Sequence, residues 1–137
     1  AQILELLDDL RKSLNMSMVL VTHDLGVVAG HTDRVIVMYA GEVVESAKTT
    51  DLFANMRMPY TEALFKSIPT LDTPTGTRLP TIEGRVPDPT QENPGCSFAS
   101  RCSYVQEKCR TEHPPLTCDG NDHHYRCWFP IQVRSTL

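Results

Sequence analysis

Residues 1–95 of this 137-residue chain contain no cysteine, and all five cysteines stand in the last third: Cys96, Cys102, Cys109, Cys118 and Cys127. The chain is also short of aromatics, at 7%, and has no excess of basic charge, with 13 Lys and Arg against 17 Asp and Glu. Without a basic stripe carrying interleaved aromatics, nucleic-acid binding has no electrostatic support. Long hydrophobic runs are missing too. The longest, Met18–Val21 and Val35–Ala40, fall far below the roughly 20 residues that cross a bilayer. The opening AQILELLDDLRK is amphipathic and acidic, unlike a secretory signal with its basic start and continuous apolar stretch. That predicts a reducing compartment, where thiols bind metals more readily than they form disulfides. No C-x-x-C knuckle and no G-x-x-x-x-G-K-[ST] phosphate loop occur.

What is present divides into two chemical territories. Ile3, Leu4, Leu6, Leu7, Leu10 and Leu14 recur at helical spacing, which predicts a helix over about residues 2–14. The apolar run Met18–Thr22 reads as a short buried strand of the kind found at the centre of a parallel sheet. A short helix is expected over Asp24–Gly30, with the Asp24 carboxylate capping it. Arg34–Tyr39 reads as a second strand, Ala40-Gly41 as a turn and Glu42–Glu45 as the return strand of a hairpin. Thr50–Asn55 and Tyr60–Ser67 read as two helices, the second opened by Pro59. These elements predict an α/β unit over residues 1–68. Prolines then crowd residues 69–94, as expected of an extended linker. A small irregular Cys-rich module over 95–130 and a tail over 131–137 complete the chain.

Two clusters carry candidate chemistry. His23 stands where the predicted strand runs out and a helix begins, the edge at which open α/β sheets bind ligands. The bland alternative is a surface histidine beside a capping aspartate. The first three cysteines follow C-x5-C-x6-C, a spacing that gives a zinc ribbon no support and that iron–sulfur ligation tolerates. Spacing leaves three readings open: an iron–sulfur cluster, zinc shared with His113, His123 or His124, and disulfides formed after metal loss. Phe98 and Trp128 are candidates for the apolar cover of so small a module.

The string Thr22-His23-Asp24, then Asp24–Ala29, Asp33-Arg34-Val35 and Met38–Gly41 resembles the final part of an ABC-transporter nucleotide-binding domain, over residues 1 to about 46. The resemblance implies that His23 contacts the γ-phosphate of ATP and helps to position the attacking water. It also implies a chain that begins just after the D-loop, without the Walker A, signature and Walker B segments, and so inactive alone. Met58-Pro59-Tyr60-Thr61, Ser67-Ile68-Pro69 and Ile82-Glu83-Gly84-Arg85-Val86-Pro87 resemble the C-terminal extension of ATP-binding subunits of dipeptide, oligopeptide and nickel importers. Met58 departs from the usual His, and Glu45-Ser46-Ala47 from the common Glu-x-Gly.

That narrower resemblance implies ATP with Mg²⁺ as cofactor and a [4Fe–4S] cluster on Cys96, Cys102, Cys109 and Cys127, with zinc as the alternative. Cys118 is left as a free thiol, and His31, His123 and His124 as solvated side chains. The implied partners are transmembrane permease subunits, a second homologous ATPase subunit and, indirectly, an extracytoplasmic peptide-binding protein. Nucleic acid is not among them, and the implied location is the cytoplasmic face of the inner membrane. The alternative is a non-enzymatic metal-binding module, for interaction or redox sensing.

Overall fold

The computed structural model describes residues 2–68, 80–88, 90 and 93–132. Helix α1 (Gln2–Ser13) and helix α2 (Leu25–His31) precede strands β1 (Arg34–Tyr39) and β2 (Glu42–Lys48). Helices α3 (Thr49–Ala54) and α4 (Pro59–Lys66) follow, and the Cys-rich segment adds α5 (Glu107–Thr111), β3 (Thr117–Cys118) and β4 (His124–Tyr125). Most of the linker expected at 69–94 lies outside the described residues.

The sheet is antiparallel throughout, in the order β1-β2-β4-β3. Its hairpin turns through Ala40 and Gly41, both at positive φ (48° and 83°), the sign that a two-residue type I′ turn requires. Strand β1 alternates regularly, burying Val35, Val37 and Tyr39 and exposing Arg34, Ile36 and Met38. Strand β2 does not alternate. Its register slips at Val44, since Val37 faces Glu45 while Met38 faces Val43, and such a bulge locally turns the strand. Four successive residues, Val44–Ala47, are buried.

The core shows why the two territories hold together. Val28, Val35, Val37, Tyr39, Val44, Ala47, Leu52 and Met58 share one buried cluster with Phe98, and Cys96, Cys102 and Cys127 pack against it. The Tyr39, Tyr60 and Phe98 rings meet pairwise with centroids 4.7–5.2 Å apart, within the favourable range for aromatic contacts. The described part of the linker is largely exposed but anchored at a few points. Ile82 lies against the core, Ser67 Oγ donates to the Pro80 carbonyl at 2.8 Å, and Arg101 donates to the Ile82 and Glu83 carbonyls at 2.8 and 2.9 Å.

The expected buried strand at Met18–Thr22 does not form. Val19 and Val21 are 92% and 93% exposed, because no strand among the described residues lies alongside to complete a ladder. The apolar stripe of α1 is uncovered as well, with Ile3, Leu6, Leu10 and Leu14 exposed. That helix is tethered by polar contacts. His31 Nδ1 and Asp8 Oδ2 are 2.7 Å apart, and Arg11 reaches Asp33 at 3.4 Å. His31 is therefore half-buried rather than solvated.

Glu42, at the start of β2, clamps the Cys-rich segment from the hairpin. Its Oε2 accepts from Ser97 Oγ at 3.0 Å and pairs with His113 Nε2 at 3.1 Å. Burial pulls this carboxyl upward, yet the hydrogen bonds from His113 and Ser97 outweigh that and hold it below the usual carboxylate range. A depressed folded-state value stabilises fully above the unfolded value, about 4.3 for Glu, and the contribution is lost as pH falls through the lower folded value. Denaturation of wild type and Glu42→Gln between pH 7 and pH 3 should therefore show a stability gap that closes on the acid side. A gap independent of pH would remove the clamp.

Gly95 seats the first cysteine turn against α5. A Cβ there would meet the Arg110 carbonyl oxygen at 2.6 Å and the Cys109 carbonyl as well, and both are backbone atoms that cannot swing away. Gly95→Ala should cost about 1–3 kcal/mol by overpacking, measured by thermal unfolding, and should loosen the Cys96 N–H bond to the Cys109 carbonyl, 2.7 Å in the native turn. Wild-type stability would show that the turn has room.

Candidate functional site

Three local devices bring four cysteines to a common point. Cys96 opens a tight turn in which the Ala99 N–H donates to its carbonyl, and Cys102 closes that turn by donating to the Ala99 carbonyl. Helix α5 carries Cys109 on its one buried position. Cys127 follows β4, which is held to β2 by the Ser46–His124 and Glu45–Tyr125 pairs. All four line one cavity together with Met58, Phe98, Tyr104, Trp128 and Phe129. The space between them is about 10 Å³, room for roughly one water. Cys118 stands apart, exposed on β3.

Burial in this apolar shell pushes the Cys127 thiol up to about 12, with the neighbouring Cys96, Cys102 and Cys109 adding to the shift and the Phe129 amide opposing it. Burial raises Cys96 and Cys102 as well, against the pull of nearby backbone amides. Such thiols are protonated and poor nucleophiles at neutral pH. Thiolates would become stable there only beside concentrated positive charge. The donor set, four sulfurs in a water-excluding shell, fits a soft thiolate-bound metal group. As the side chains are packed, no group of three or more His, Cys, Asp or Glu among the described residues stands ready to hold an ion.

The histidines weighed as zinc ligands lie elsewhere, since none of His113, His123 or His124 lines the cavity. His113 pairs with Glu42, and His124 Nδ1 lies 3.6 Å from Asp122 Oδ1. His123, expected in solvent, is instead 2% exposed, with Nε2 2.7 Å from Glu45 Oε1. Glu45 is fully buried and also accepts from the Arg57 N–H at 2.6 Å and the Met58 N–H at 3.1 Å. Arg57 extends the network to Asp119 at 3.4 Å and to the Ile131 carbonyl. This polar hub had no local signature. Its partners are 78 residues apart, and the bulge that buries Glu45 leaves no mark in the alternation of the sequence.

His23 is exposed, immediately ahead of α2. Asp24 caps that helix as expected, its Oδ1 accepting from the Gly26 and Val27 amides at 2.9 and 3.3 Å, while the Asp24 N–H donates to Thr22 Oγ1 at 3.0 Å. These bonds hold the backbone around the histidine, and its imidazole is exposed.

Comparison with known proteins places this geometry in context. The family described as "Oligopeptide/dipeptide transporter, C-terminal region" matches residues 44–109, a span holding Glu45, Met58 and three of the four clustered cysteines. The oligopeptide transport ATP-binding protein AppD of Bacillus subtilis is 48% identical over 129 residues, covering 94% of this chain and 39% of the relative. The oligopeptide transport ATP-binding protein OppD of Mycobacterium tuberculosis is 47% identical over 127 residues, covering 93% of this chain and 21% of the relative. The chain thus spans well under half the length of these relatives. Residues 44–109 thus match the oligopeptide/dipeptide transporter C-terminal region family, and with near-half identity along almost its whole length the chain is similar to proteins named as ATP-binding components of peptide transport.

Proposed function

We propose that this chain forms part of an ATP-binding subunit of an ABC importer for di- or oligopeptides, in which ATP hydrolysis energises passage through transmembrane permease subunits. One observation carries the reading: identity to peptide-transport ATP-binding proteins runs across 94% of the chain, together with an exposed His23 held between a capped helix and Thr22. In this proposal His23 donates a hydrogen bond to a γ-phosphate oxygen and orients the attacking water. Phosphoryl transfer is governed by positioning and by stabilisation of spread negative charge, so a fixed donor acts on the barrier more than on binding. The phosphate loop, the Mg²⁺ site and the signature segment come from polypeptide beyond these residues, and this chain alone does not hydrolyse ATP. A second, homologous ATPase subunit completes the nucleotide sites, and an extracytoplasmic binding protein delivers the peptide. No described helix is long and apolar enough to cross a membrane; the proposal places the subunit at the cytoplasmic face, beside the permease subunits.

In the same proposal Cys96, Cys102, Cys109 and Cys127 hold a [4Fe–4S] cluster, with zinc as the alternative. When bound, the cluster supplies a covalent cross-link and a one-electron centre. Met58, Phe98, Trp128 and Phe129 keep water from the sulfurs, and the Lys108 ammonium, 3.6 Å from the Trp128 ring centroid, pins that ring over the site.

Two measurements test these assignments. In the full-length subunit, His23→Ala should leave ATP binding within about threefold while hydrolysis and transport fall by about 10²-fold or more, the scale of losing one positioned donor. Unchanged transport would remove His23 from its role. After anaerobic purification, iron and sulfide content should survive Cys118→Ser and be lost in Cys127→Ser. A colourless, zinc-loaded wild type would replace the cluster with zinc.

A further inference from the structure

We propose that Glu45 and His123 are a positioning pair that fixes the register of β4 on β2 and so sets where Cys127 stands in the four-cysteine pocket. This rests on the reading of that pocket as a metal centre only for its significance, since the geometry stands by itself. Strand β4 is two residues long, and so short a strand specifies its own register weakly. A slip of one residue would carry Cys127 by about 3.3 Å and turn it to the opposite face. Backbone bonds alone tolerate such slips, whereas a buried polar pair does not, because every other register leaves a desolvated carboxylate or imidazole without its partner.

The pair sits where it can act on the pocket. Nε2 of His123 meets Glu45 Oε1 at 2.7 Å, both side chains being almost wholly buried. Four residues on comes Cys127, and between them the Arg126 N–H donates to the Val44 carbonyl at 2.8 Å, on the bulged residue beside Glu45. The same Glu45 carboxylate accepts the Met58 N–H at 3.1 Å, and Met58 is a wall of the cysteine cavity. One carboxylate therefore references a wall of the pocket and one of its four sulfurs to the same point on β2. The other three cysteines reach the pocket through the turn at 96–102 and α5, whereas the Glu45 hydrogen bonds go to Arg57, Met58 and His123.

The test is residue-resolved alkylation of the metal-stripped full-length protein under native conditions, with modification at each of the five cysteines followed by mass spectrometry. In His123→Ala, Cys127 should react about tenfold faster, the scale expected when a buried hydrogen-bond partner is lost. Cys102 and Cys109 should stay within about twofold, an order-of-magnitude margin for groups outside the altered contact, and exposed Cys118 should be unchanged. His123→Gln, which keeps an N–H donor at similar reach, should restore the wild-type pattern. Glu45→Gln leaves one acceptor oxygen where the two carboxylate oxygens serve Arg57, Met58 and His123, so Cys127 should again react faster. An unchanged Cys127 overturns the proposal. So does a uniform rise at Cys96, Cys102, Cys109 and Cys127 in all three variants, which would assign the pair to general stability. Failure of the metal reading registers separately, as a wild type that retains neither iron and sulfide nor zinc.

Discussion

A fully buried carboxylate organises this structure. Removing a carboxylate from water costs several kcal/mol even after relaxation, and Glu45 meets that cost with three donors from two distant parts of the chain: the Arg57 and Met58 amides and the His123 imidazole. Two of these lie just ahead of α4, whose first turn has no side-chain cap of its own. The third lies 78 residues away, beside the strand that carries Cys127 inward. Taking away any one donor leaves charge stranded in the core, so the three segments are held in a single arrangement.

That arrangement makes the Cys-rich segment an outgrowth of the hairpin. Phe98 is buried among Tyr39 and Tyr60, β4 adds itself to β2, and Arg34 from β1 reaches Asp122 with bonds of 2.5 and 3.0 Å. Glu42 and Glu45, on one strand, grip the segment at Ser97, His113 and His123. A module of about 35 residues buries too little surface to hold itself. Borrowing the hairpin's core is one physical remedy, and a metal cross-link in the pocket would be a second that acts on the same four sulfurs.

The opposite side of the hairpin is organised differently. The outward face of β1, the segment at 16–22 and the stripe of α1 present Ile36, Met38, Val19, Val21, Leu6 and Leu10 to solvent, and polar tethers rather than packing hold α1 in place. The apolar pattern there is real, but pattern alone is not a strand. Extended backbone becomes sheet only when a neighbour takes up its hydrogen bonds.

Local chemistry was legible in the sequence by itself. Helical spacing located α1, proline placed the start of α4, the apolar run from Val35 marked β1, and Asp24 announced the cap ahead of which His23 stands. These signals act within a few residues, through dihedral preference, side-chain spacing and capping, and they survive whatever the rest of the chain does. Tertiary structure decided the rest. It left Met18–Thr22 without a partner, put the bulge at Val44 that buries Glu45, drew His123 out of solvent, and brought Cys96, Cys102, Cys109 and Cys127 to one cavity while leaving Cys118 outside. Each of these is a contact between segments tens of residues apart, whose energy comes from shared desolvation and hydrogen bonding across the core, and no short stretch of sequence encodes it.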